Sequence, residues 1–461
     1  MNDAKNFEGT WFVPHYSQVL KEVTKFHGSL TFDPDNGSTL VLRIDQMNNP
    51  ILKQEIDIIL GSTSEGPVTL YKCVCSRHDF GRGAVYYYHV QYIIEGGHLH
   101  KEQELQFSRI NAELHGLNEW VGKTGFKIKS TNYSTKFKVD YGLPKNIPFK
   151  INELLSGVIL FGVSGIKFGN NQLNVNVNQS TQVALETKVL LSLDKILDTL
   201  TVFSNFLMIG LDDTTYATRI TLYSNIHFET FARQGKIRRV PFRLLIPRPV
   251  GTDIRKVVNQ QRMFFRLDSV NRKFEKLISR WFTLFEQNES SLNLFFKQYQ
   301  WKYESNPTVF LNYAQVSEAY HAVMKKQNKK MHSKEFLKMK REILAMSKQQ
   351  MPQYTKWLNE QFNRYNALTL HDRLHDLVHQ TRNTKLYEAF GDTESFISSA
   401  KINRNYYTHY NRNKKHLAFT GLELYQLTRK LHVLIVFHLL KDIGLNRRDV
   451  ASRIVQYFHV S

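Results

Sequence analysis

The spacing of apolar residues changes near residue 250, from a strand-like pattern before it to a helix-like pattern after it. Few fold classes contain two such regions in succession. Before that point, short runs alternate apolar and polar side chains between turn sequences such as DPDNG and SEGP, which is the pattern of half-buried strands. After it, apolar residues recur every three or four residues, as they do on one face of a helix. We therefore expect an α+β chain, with a β-rich N-terminal domain followed by an all-α helical bundle.

The boundary between the two regions is placed at a proline-rich segment. RRVPFRLLIPRPVG, from Arg238 to Gly251, contains three prolines and cannot form the interior of a helix. We therefore expect two domains, residues 1–250 and 251–461. The chain has 461 residues, and single hydrophobic cores usually stop growing at shorter chain lengths. In the first domain, the leucine spacing from Ala184 to Gly210 predicts a long helix that packs across the sheet.

The same patterns predict individual elements. Strands are expected in STLVLRI, EIDIIL, VTLYKCVC, AVYYYHVQYII and FKIKSTNYSTKFKVDYG. Helices are expected from Asp253 to Gln287, in FLNYAQVSEAYHAVMKKQ, KEFLKMKREILAMSKQ and YTKWLNEQFNRY, and in a final pair at residues 422–440 and 447–458.

Positive charge is concentrated in the helical domain. The chain has a formal net charge of +21, and residues 251–461 contain 35 Lys and Arg against 18 Asp and Glu. A polyanionic partner, most simply a nucleic acid, is favoured by such an imbalance. The alternative is a surface that only aids solubility. The start, MNDAKNFEGTWF, and the apolar run LHVLIVFHLL lack the features of a secretory signal or a membrane-spanning helix, so we expect a cytoplasmic protein with no membrane partner.

No metal centre or other cofactor is predicted. Cys73 and Cys75 are the only cysteines, and zinc would need two further ligands, so we interpret them as strand residues in a reducing compartment. His371, His375 and His379 recur on one helix face and could bind a metal. Because no carboxylate pair or cysteine completes that pattern, a polar helix face is the preferred interpretation.

An arginine followed closely by a histidine is a weak motif, since chance alone predicts about three matches at the allowed spacings. The sequence has six, which are Arg82 with His89, Arg109 with His115, Arg364 with His371, Arg373 with His379, Arg404 with His409, and Arg453 with His459. Two pairs lie in the strand-rich half and one lies at the C-terminus, where chains fray. Arg373 lies beside Asp372 and Asp376, which would repel an anion and are expected to form local salt bridges.

Arg404 and His409 lie in KINRNYYTHYN, residues 401–411, which contains no acidic residue. Five residues correspond to about 140° around a helix. The pair therefore shares a target only if a helix begins between them, with Asn403 or Asn405 as N-cap, or if the arginine reaches around. Basic and stacking groups that RNA contacts use are nearby: Lys401, Arg412, Lys414 and Lys415 as RNA-binding candidates, and Asn405, Tyr406, Tyr407 and Thr408 beside the pair.

RNYYTH resembles the Arg-Asn-x-x-x-His signature of the HEPN superfamily. NFEGTWFVP followed by GSLTFDPDNGSTLVL resembles the start of ApeA-like bacterial anti-phage proteins, which have a β-rich N-terminal domain. The resemblance implies a HEPN ribonuclease domain that cuts RNA without a metal ion and pairs with a second copy in a homodimer or a higher even-numbered oligomer. It also implies that Arg404 holds the scissile phosphate, that His409 acts as acid or base, and that Asn405 positions a phosphate oxygen or the histidine.

General chemistry agrees with these roles. The 2′-OH of RNA is its own nucleophile, so the enzyme needs a group that moves a proton near neutral pH and a cation that stabilises the charge on phosphorus. The expected product is a 2′,3′-cyclic phosphate. The expected partners are RNA, with tRNA as one candidate, and a phage-derived trigger, and the N-terminal domain is expected either to recognise this signal or to restrain the active site. The expected consequence is toxicity to the infected cell, as in abortive infection.

Three points stay open at this stage. The helical domain could be a catalytically silent RNA-binding or scaffold protein, whereas a metal-dependent nuclease would need clustered carboxylates that the sequence lacks. Glu318, an isolated acid in YAQVSEAYHAV, could orient Arg404 or His409 or be an ordinary exposed residue, and Tyr406 is a second supporting candidate. QNKKMHSKEFLKMKR, from Gln327, could guide RNA or be a solvated face.

Overall fold

The computed structural model describes residues 4–16, 21–44, 52–80, 83–132, 136–168, 175–230, 237–249, 258–300, 306–324 and 329–458. The chain divides into two compact units, Met1–Ser279 and Arg280–Ser461. The first is β-rich and the second is helical, so the predicted α+β class is confirmed.

The first six strands form a closed antiparallel sheet. They are β1 (Lys5–Tyr16), β2 (Lys21–Asp33), β3 (Gly37–Ile44), β4 (Glu55–Thr63), β5 (Gly66–Phe80) and β6 (Ala84–Glu95), and they neighbour one another in the order β1-β2-β3-β6-β5-β4 and back to β1. Trp11 is wholly buried in the core that the sheet encloses. A Cβ at Gly61 would lie 2.3 Å from the indole of Trp11, so only glycine lets this ring pack against β4.

The same sheet continues beyond the first six strands, because the last residues of β6, Ile93 to Glu95, also pair with a later antiparallel strand. The remaining strands are β7 (Gln106–Leu114), β8 (Phe126–Asn132), β9 (Lys136–Tyr141), β10 (Ile147–Lys150), β11 (Leu155–Phe168), β12 (Val175–Ser192), β13 (Ala217–Thr230) and β14 (Ile237–Leu245). The order from β6 is β14-β13-β7-β12-β11-β10, and β8 and β9 form a separate hairpin. Four of the five strand segments predicted from the sequence coincide with β3, β4, β5 and β6, and the fifth, from Phe126, corresponds to the two strands β8 and β9, with residues 133–135 outside the described ranges.

The helix predicted from Ala184 is correct only in its second half. Residues up to Ser192 belong to β12, where they pair with β7 and β11. Helix α2 begins at Leu193 and ends at Leu211, after the short α1 (Leu117–Val121). Leucines at mixed spacing fit either state in isolation, and the neighbouring strands decide the first half in favour of strand. The expected packing is found, because α2 lies against β7 and β12.

The first unit extends beyond the proline-rich segment at which the sequence placed the boundary. Arg238 to Leu245 lie in β14. Further on, Phe265 and Phe274 pack edge-on against Trp120, with ring centroids 6.0 and 5.8 Å away. These aromatic contacts place residues well past 250 in the core of the first unit, and the division falls between Ser279 and Arg280.

The helices that follow are α3 (Leu267–Val270), α4 (Phe274–Gln287), α5 (Glu289–Gln300), α6 (Asn306–Met324), α7 (Ser333–Gln350), α8 (Thr355–Tyr365), α9 (Leu370–His379), α10 (Lys385–Phe390), α11 (Thr393–His409), α12 (Gly421–Ile443) and α13 (Arg447–Phe458). The helix predicted from Asp253 to Gln287 is confirmed from Leu267 onward, where α3, a 3₁₀ turn and α4 follow one another, and is wrong over the described residues before it. Residues 258–266 are irregular apart from one 3₁₀ turn, because the Asn259 side chain accepts a hydrogen bond from Gln261 N and closes that turn.

Helix α12 is the central helix of the second unit. Every residue from Leu431 to Leu440 is buried, which explains why the run LHVLIVFHLL is apolar on all sides. The helix packs against α6 and α13. No helix in the described ranges combines the length and the apolar character that crossing a membrane requires.

Candidate active site

Helix α11 carries both members of the candidate pair. Asp392 is its N-cap, and its carboxylate accepts hydrogen bonds from the backbone N–H groups of Glu394 and Ser395, both at 3.1 Å. The helix ends after His409, because Tyr410 adopts a left-handed conformation with φ of 48°. The expectation that a helix begins between Arg404 and His409 is therefore wrong. Both residues lie in its last two turns.

Arg404 contacts the neighbouring helix α6. Its Nη2 lies 3.4 Å from Oε2 of Glu318. The two side chains keep 37% and 29% of their surface exposed, so water competes with this long contact. The contact leaves part of the guanidinium exposed, and the supporting role of Glu318 stays a prediction.

His409 is exposed at the C-terminal end of α11. In a regular helix it lies about 140° around the axis from Arg404 and about 7.5 Å further along. The two side chains therefore leave the helix in different directions. A single α11 does not point both groups at one phosphate by helix geometry alone.

Two buried polar residues of α11 hold the following loop, and the sequence did not predict this. Asn403 is wholly buried; its Oδ1 accepts a hydrogen bond from Phe419 N at 2.7 Å, and its Nδ2 donates to Ser399 O at 2.9 Å. The hydroxyl of Tyr407 donates to Phe419 O at 2.5 Å, and burial raises the pKa of this tyrosine. Asn403 is therefore not an N-cap, and Tyr407 is not free to stack on a base.

The loop held in this way contains most of the predicted RNA-binding residues. Residues Arg412–Leu417 form a 3₁₀ helix that begins where the Asn411 side chain accepts a hydrogen bond from Asn413 N at 3.0 Å. Four exposed basic side chains lie on it or on the nearby surface of α11: Lys401, Arg412, Lys414 and Lys415. Arg412, Lys414 and Lys415 thus follow the end of α11 where His409 lies, whereas Lys401 lies about two turns earlier on the helix.

The other polar residues of the motif have mixed positions. Asn405 and Tyr406 are partly exposed, and Thr408 is exposed, with its hydroxyl donating to Arg404 O at 2.7 Å. The ring of Tyr406 packs edge-on against those of Tyr407 and Tyr410, at centroid distances of 5.0 and 5.7 Å. Asn405 and Tyr406 can therefore contact a ligand, whereas Thr408 bonds its own helix.

Arg373 does not act with His379. Its Nη1 lies 3.2 Å from Nδ1 of His321, and Nε2 of that buried histidine lies 2.9 Å from Asp376 Oδ2. Because arginine only donates, His321 accepts through Nδ1 and donates through Nε2. The local salt bridges predicted for the two acids are not found: Asp372 pairs with Lys330, at 3.3 Å, outside its own helix, and Asp376 accepts a hydrogen bond from the neutral His321.

Of the remaining Arg-His pairs, only Arg109 with His115 lies wholly within the described residues, and its two side chains have separate partners. Arg109 lies 3.7 Å from Glu186, whereas His115 stacks on Tyr216. Three pairs cannot be assessed, because Arg82, His459 and the side chain of Arg364 lie outside the described residues.

In the part of the chain that the structure describes, no group of three His, Cys, Asp or Glu side chains is arranged so that it could hold a metal ion. Cys73 lies on β5, and burial raises the pKa of its thiol, which disfavours the thiolate that binds zinc. His371 and His375 face Glu394, with Nε2 to carboxylate distances of 3.9 and 3.8 Å. These contacts agree with a polar helix face.

The comparisons with known proteins identify both halves of the chain. Residues 6–281, more than half of the chain, match the model of ApeA N-terminal domain 1, and residues 311–449 match that of the Apea-like HEPN domain. No curated protein and no solved structure matches. The resemblance inferred from the two terminal motifs is confirmed, whereas the roles of Arg404, Asn405 and His409 stay predictions. The chain belongs to the ApeA family, with an ApeA N-terminal domain followed by an ApeA-like HEPN domain.

Proposed function

We propose that this protein is an anti-phage defence ribonuclease that cuts RNA without a metal ion. The observation that carries the proposal is the end of α11, where a partly exposed Arg404 held by Glu318, an exposed His409 and a loop of basic side chains occur together. A polyanion is attracted to such a surface. An arginine and a histidine also supply the charge stabilisation and the proton transfer that cleavage by 2′-OH attack uses.

In the proposed reaction, His409 accepts the proton of the 2′-OH or donates one to the departing 5′-oxygen, and water carries the other of these two protons. Arg404 stabilises the negative charge that develops on the phosphoryl oxygens, for which its planar fork is suited. Asn405, partly exposed between them, donates a hydrogen bond to a phosphate oxygen or orients the imidazole. The P–O bond to the 5′-oxygen breaks, leaving a 2′,3′-cyclic phosphate and a 5′-hydroxyl.

A second copy of the chain completes the proposed site. Arg404 and His409 lie about 140° apart on one helix, so two α11 helices that face each other supply both groups more readily than one. This supports a homodimer or a higher even-numbered oligomer. Cleavage of cellular RNA, tRNA among the candidates, would then be toxic to the infected cell, with a phage-derived trigger sensed by the N-terminal domain.

The chemistry of the product ends tests the proposal. A labelled RNA is incubated with the full chain in EDTA, and a second RNA carries 2′-deoxy sugars at the mapped cleavage positions. The proposal expects 2′,3′-cyclic phosphate ends from the first RNA and no cleavage at the substituted positions of the second. Cleavage at those positions, or 3′-hydroxyl products, would contradict attack by the 2′-OH.

The alternative is a catalytically silent RNA-binding protein, and the divergence of Arg404 and His409 on one helix favours it. That protein would retain the same basic surface. It would bind the labelled RNA and leave it uncut under every condition that yields a folded, oligomeric protein.

A further inference from the structure

Helices α7 and α8 form a hairpin whose two ends meet. The backbone N–H of Lys330 donates to Asn366 O at 3.0 Å. The side chain of Asn366 accepts a hydrogen bond from Met331 N at 2.8 Å and donates one to Met331 O at 3.2 Å. Hydrogen bonds therefore join the two ends of the segment between residues 331 and 366, which leaves the chain and returns to the same place.

The hairpin buries little of its own surface. Ser347 is the buried residue of the 18-residue α7, and its hydroxyl lies 3.0 Å from Thr355 Oγ1 of α8. The partly buried faces of α7 and α8 pack against each other. The outer face of α7 is thus available to a ligand.

Charge is segregated on that outer face. Lys334, Arg341 and Lys348 are exposed and recur every seven residues, so they form one row about 21 Å long. Glu335 and Glu342 also recur after seven residues, and in a regular helix they lie roughly 110° away from the row. The acids of α7 therefore do not neutralise the row, which we call the basic row.

Two large aromatic rings are exposed at the turn end of the same hairpin. Tyr354 lies in the turn and Trp357 in the first turn of α8, and they keep 52% and 57% of their surface exposed. Lys348, the last residue of the basic row, lies near this end of α7. Positive charge beside exposed rings is the combination that binds a phosphate backbone and stacks unpaired bases.

We propose that the basic row, with Tyr354 and Trp357, binds single-stranded RNA at a distance in sequence from Arg404 and His409. The proposal takes the identity of its ligand from the proposed ribonuclease function. Single-stranded RNA is specified because bases in a duplex are already stacked and paired. A second copy of the hairpin is the less favourable occupant. From Ser333 to Tyr365 there are seven Lys and Arg against three Glu, a net charge of +4, and two such surfaces repel each other.

Binding is measured by fluorescence anisotropy with a labelled 20-nucleotide oligouridine, at several KCl concentrations. The parent is the full chain with His409→Ala, so that RNA stays intact. Adding Lys334→Gln, Arg341→Gln and Lys348→Gln should weaken binding about tenfold or more at low salt. It should also reduce the salt slope by roughly two, because each lost phosphate contact to a single strand contributes about 0.7.

Two further variants separate this site from net charge. Lys297→Gln, Lys385→Gln and Arg448→Gln remove the same three charges from exposed positions elsewhere in the second unit and should change affinity by less than about twofold. Trp357→Ala should weaken oligouridine binding by roughly fivefold or more through lost stacking. It should leave binding of heparin, a polyanion without bases, unchanged.

The proposal is overturned if the parent binds no oligouridine, if the two triple variants lose affinity equally or neither loses any, or if an RNA duplex binds as tightly as the single strand. A basic-row variant that changes oligomer size in sedimentation but keeps its RNA affinity would instead assign the hairpin to self-association. Because no cleavage is measured, loss of binding in this variant supports the inference even if the wild type proves catalytically silent.

Discussion

Arg404 combines two properties that a phosphate-binding arginine needs. It lies 3.4 Å from a carboxylate partner, Glu318, and it keeps 37% of its side chain exposed. Removing the acid should leave the guanidinium in place as a charge but with a less defined direction. Glu318 is therefore expected to be a positioning residue.

Glu318→Gln should slow RNA cleavage by roughly tenfold, which corresponds to about 1.4 kcal/mol of transition-state stabilisation. Its effect on the free energy of unfolding should be below about 1 kcal/mol, since the ion pair is partly exposed. Initial rates over a range of RNA concentrations give the measurement, with a fall in kcat expected rather than a rise in KM alone. Glu394→Gln, at the other end of α11, is the matched control and should keep the wild-type rate. Equal rates for wild type and Glu318→Gln would rule out the positioning role.

Asn403 should matter for stability rather than for catalysis. Asn403→Ala removes both hydrogen bonds of a wholly buried amide and leaves Phe419 N without its acceptor, which typically costs about 1–3 kcal/mol. The thermal unfolding of the full chain, followed by calorimetry, should show the corresponding decrease in Tm. The exposed Asn413→Ala should change stability by less than about 0.5 kcal/mol. Similar losses in both variants would contradict the role given to Asn403.

These residues mark the limit of what the sequence could predict about the site. The motif around Arg404 and His409 and the isolated acid Glu318 were recognised because residue type and spacing carry that information. The contact of Asn403 with Phe419 was not, because it joins residues 16 apart across an irregular loop. The only sequence signal for this contact was that Asn403 lies four residues before Tyr407, on the same face of a helix. That spacing is equally typical of an exposed helix face.

At the scale of elements, α12 contains a histidine that is buried in its neutral form. Burial, together with the nearby Arg429 guanidinium, lowers the pKa of His432 to about 3. The ring stacks on Phe295 and lies 3.0 Å from the hydroxyl of Tyr299. An unfolded chain binds a proton at this residue below about pH 6.5, whereas the folded chain resists it down to about pH 3.

His432 should therefore contribute stability above about pH 6.5 that is progressively lost as the pH falls toward 3, on the order of a few kcal/mol in all. Replacing it in His432→Phe should flatten the dependence of unfolding free energy on pH between 7 and 4.5. The control Tyr299→Phe removes the hydroxyl but keeps the imidazole, so it should retain the wild-type slope. Denaturant unfolding at several pH values measures both. An unchanged slope in His432→Phe would show that another group controls this range.

Element type was predicted well where one periodicity dominates, as in β3 to β6 and in α6 to α8. The prediction of element type failed where contacts with neighbouring strands determine whether a segment is helix or strand. Residues 184–192 have leucines that suit a helix, yet they pair with strands on both sides. The predicted domain boundary near residue 250 differs from the division in the structure for a related reason. Phe265 and Phe274 belong to an aromatic core with Trp120, and no local sequence pattern reveals that core.

At the scale of the whole molecule, the account requires more than one copy of the chain. Arg404 and His409 diverge on α11, and each copy carries one of each. If two copies form the site, the specific activity should fall as the chain is diluted below its dimer dissociation constant. Sedimentation at the same concentrations should show the even-numbered oligomer giving way to monomer. A constant specific activity in samples that sediment as monomers would contradict a shared site.

The central claim is that Arg404 and His409 cut RNA without a metal ion. Its most direct test compares the wild-type chain with Arg404→Ala and His409→Ala for cleavage of total cellular RNA in EDTA, after each variant is shown to fold and oligomerise like the wild type. The account predicts cleavage by the wild type and a loss of about 100-fold or more in each variant, the scale expected for general acid–base catalysis. Equal cleavage by all three proteins would contradict it.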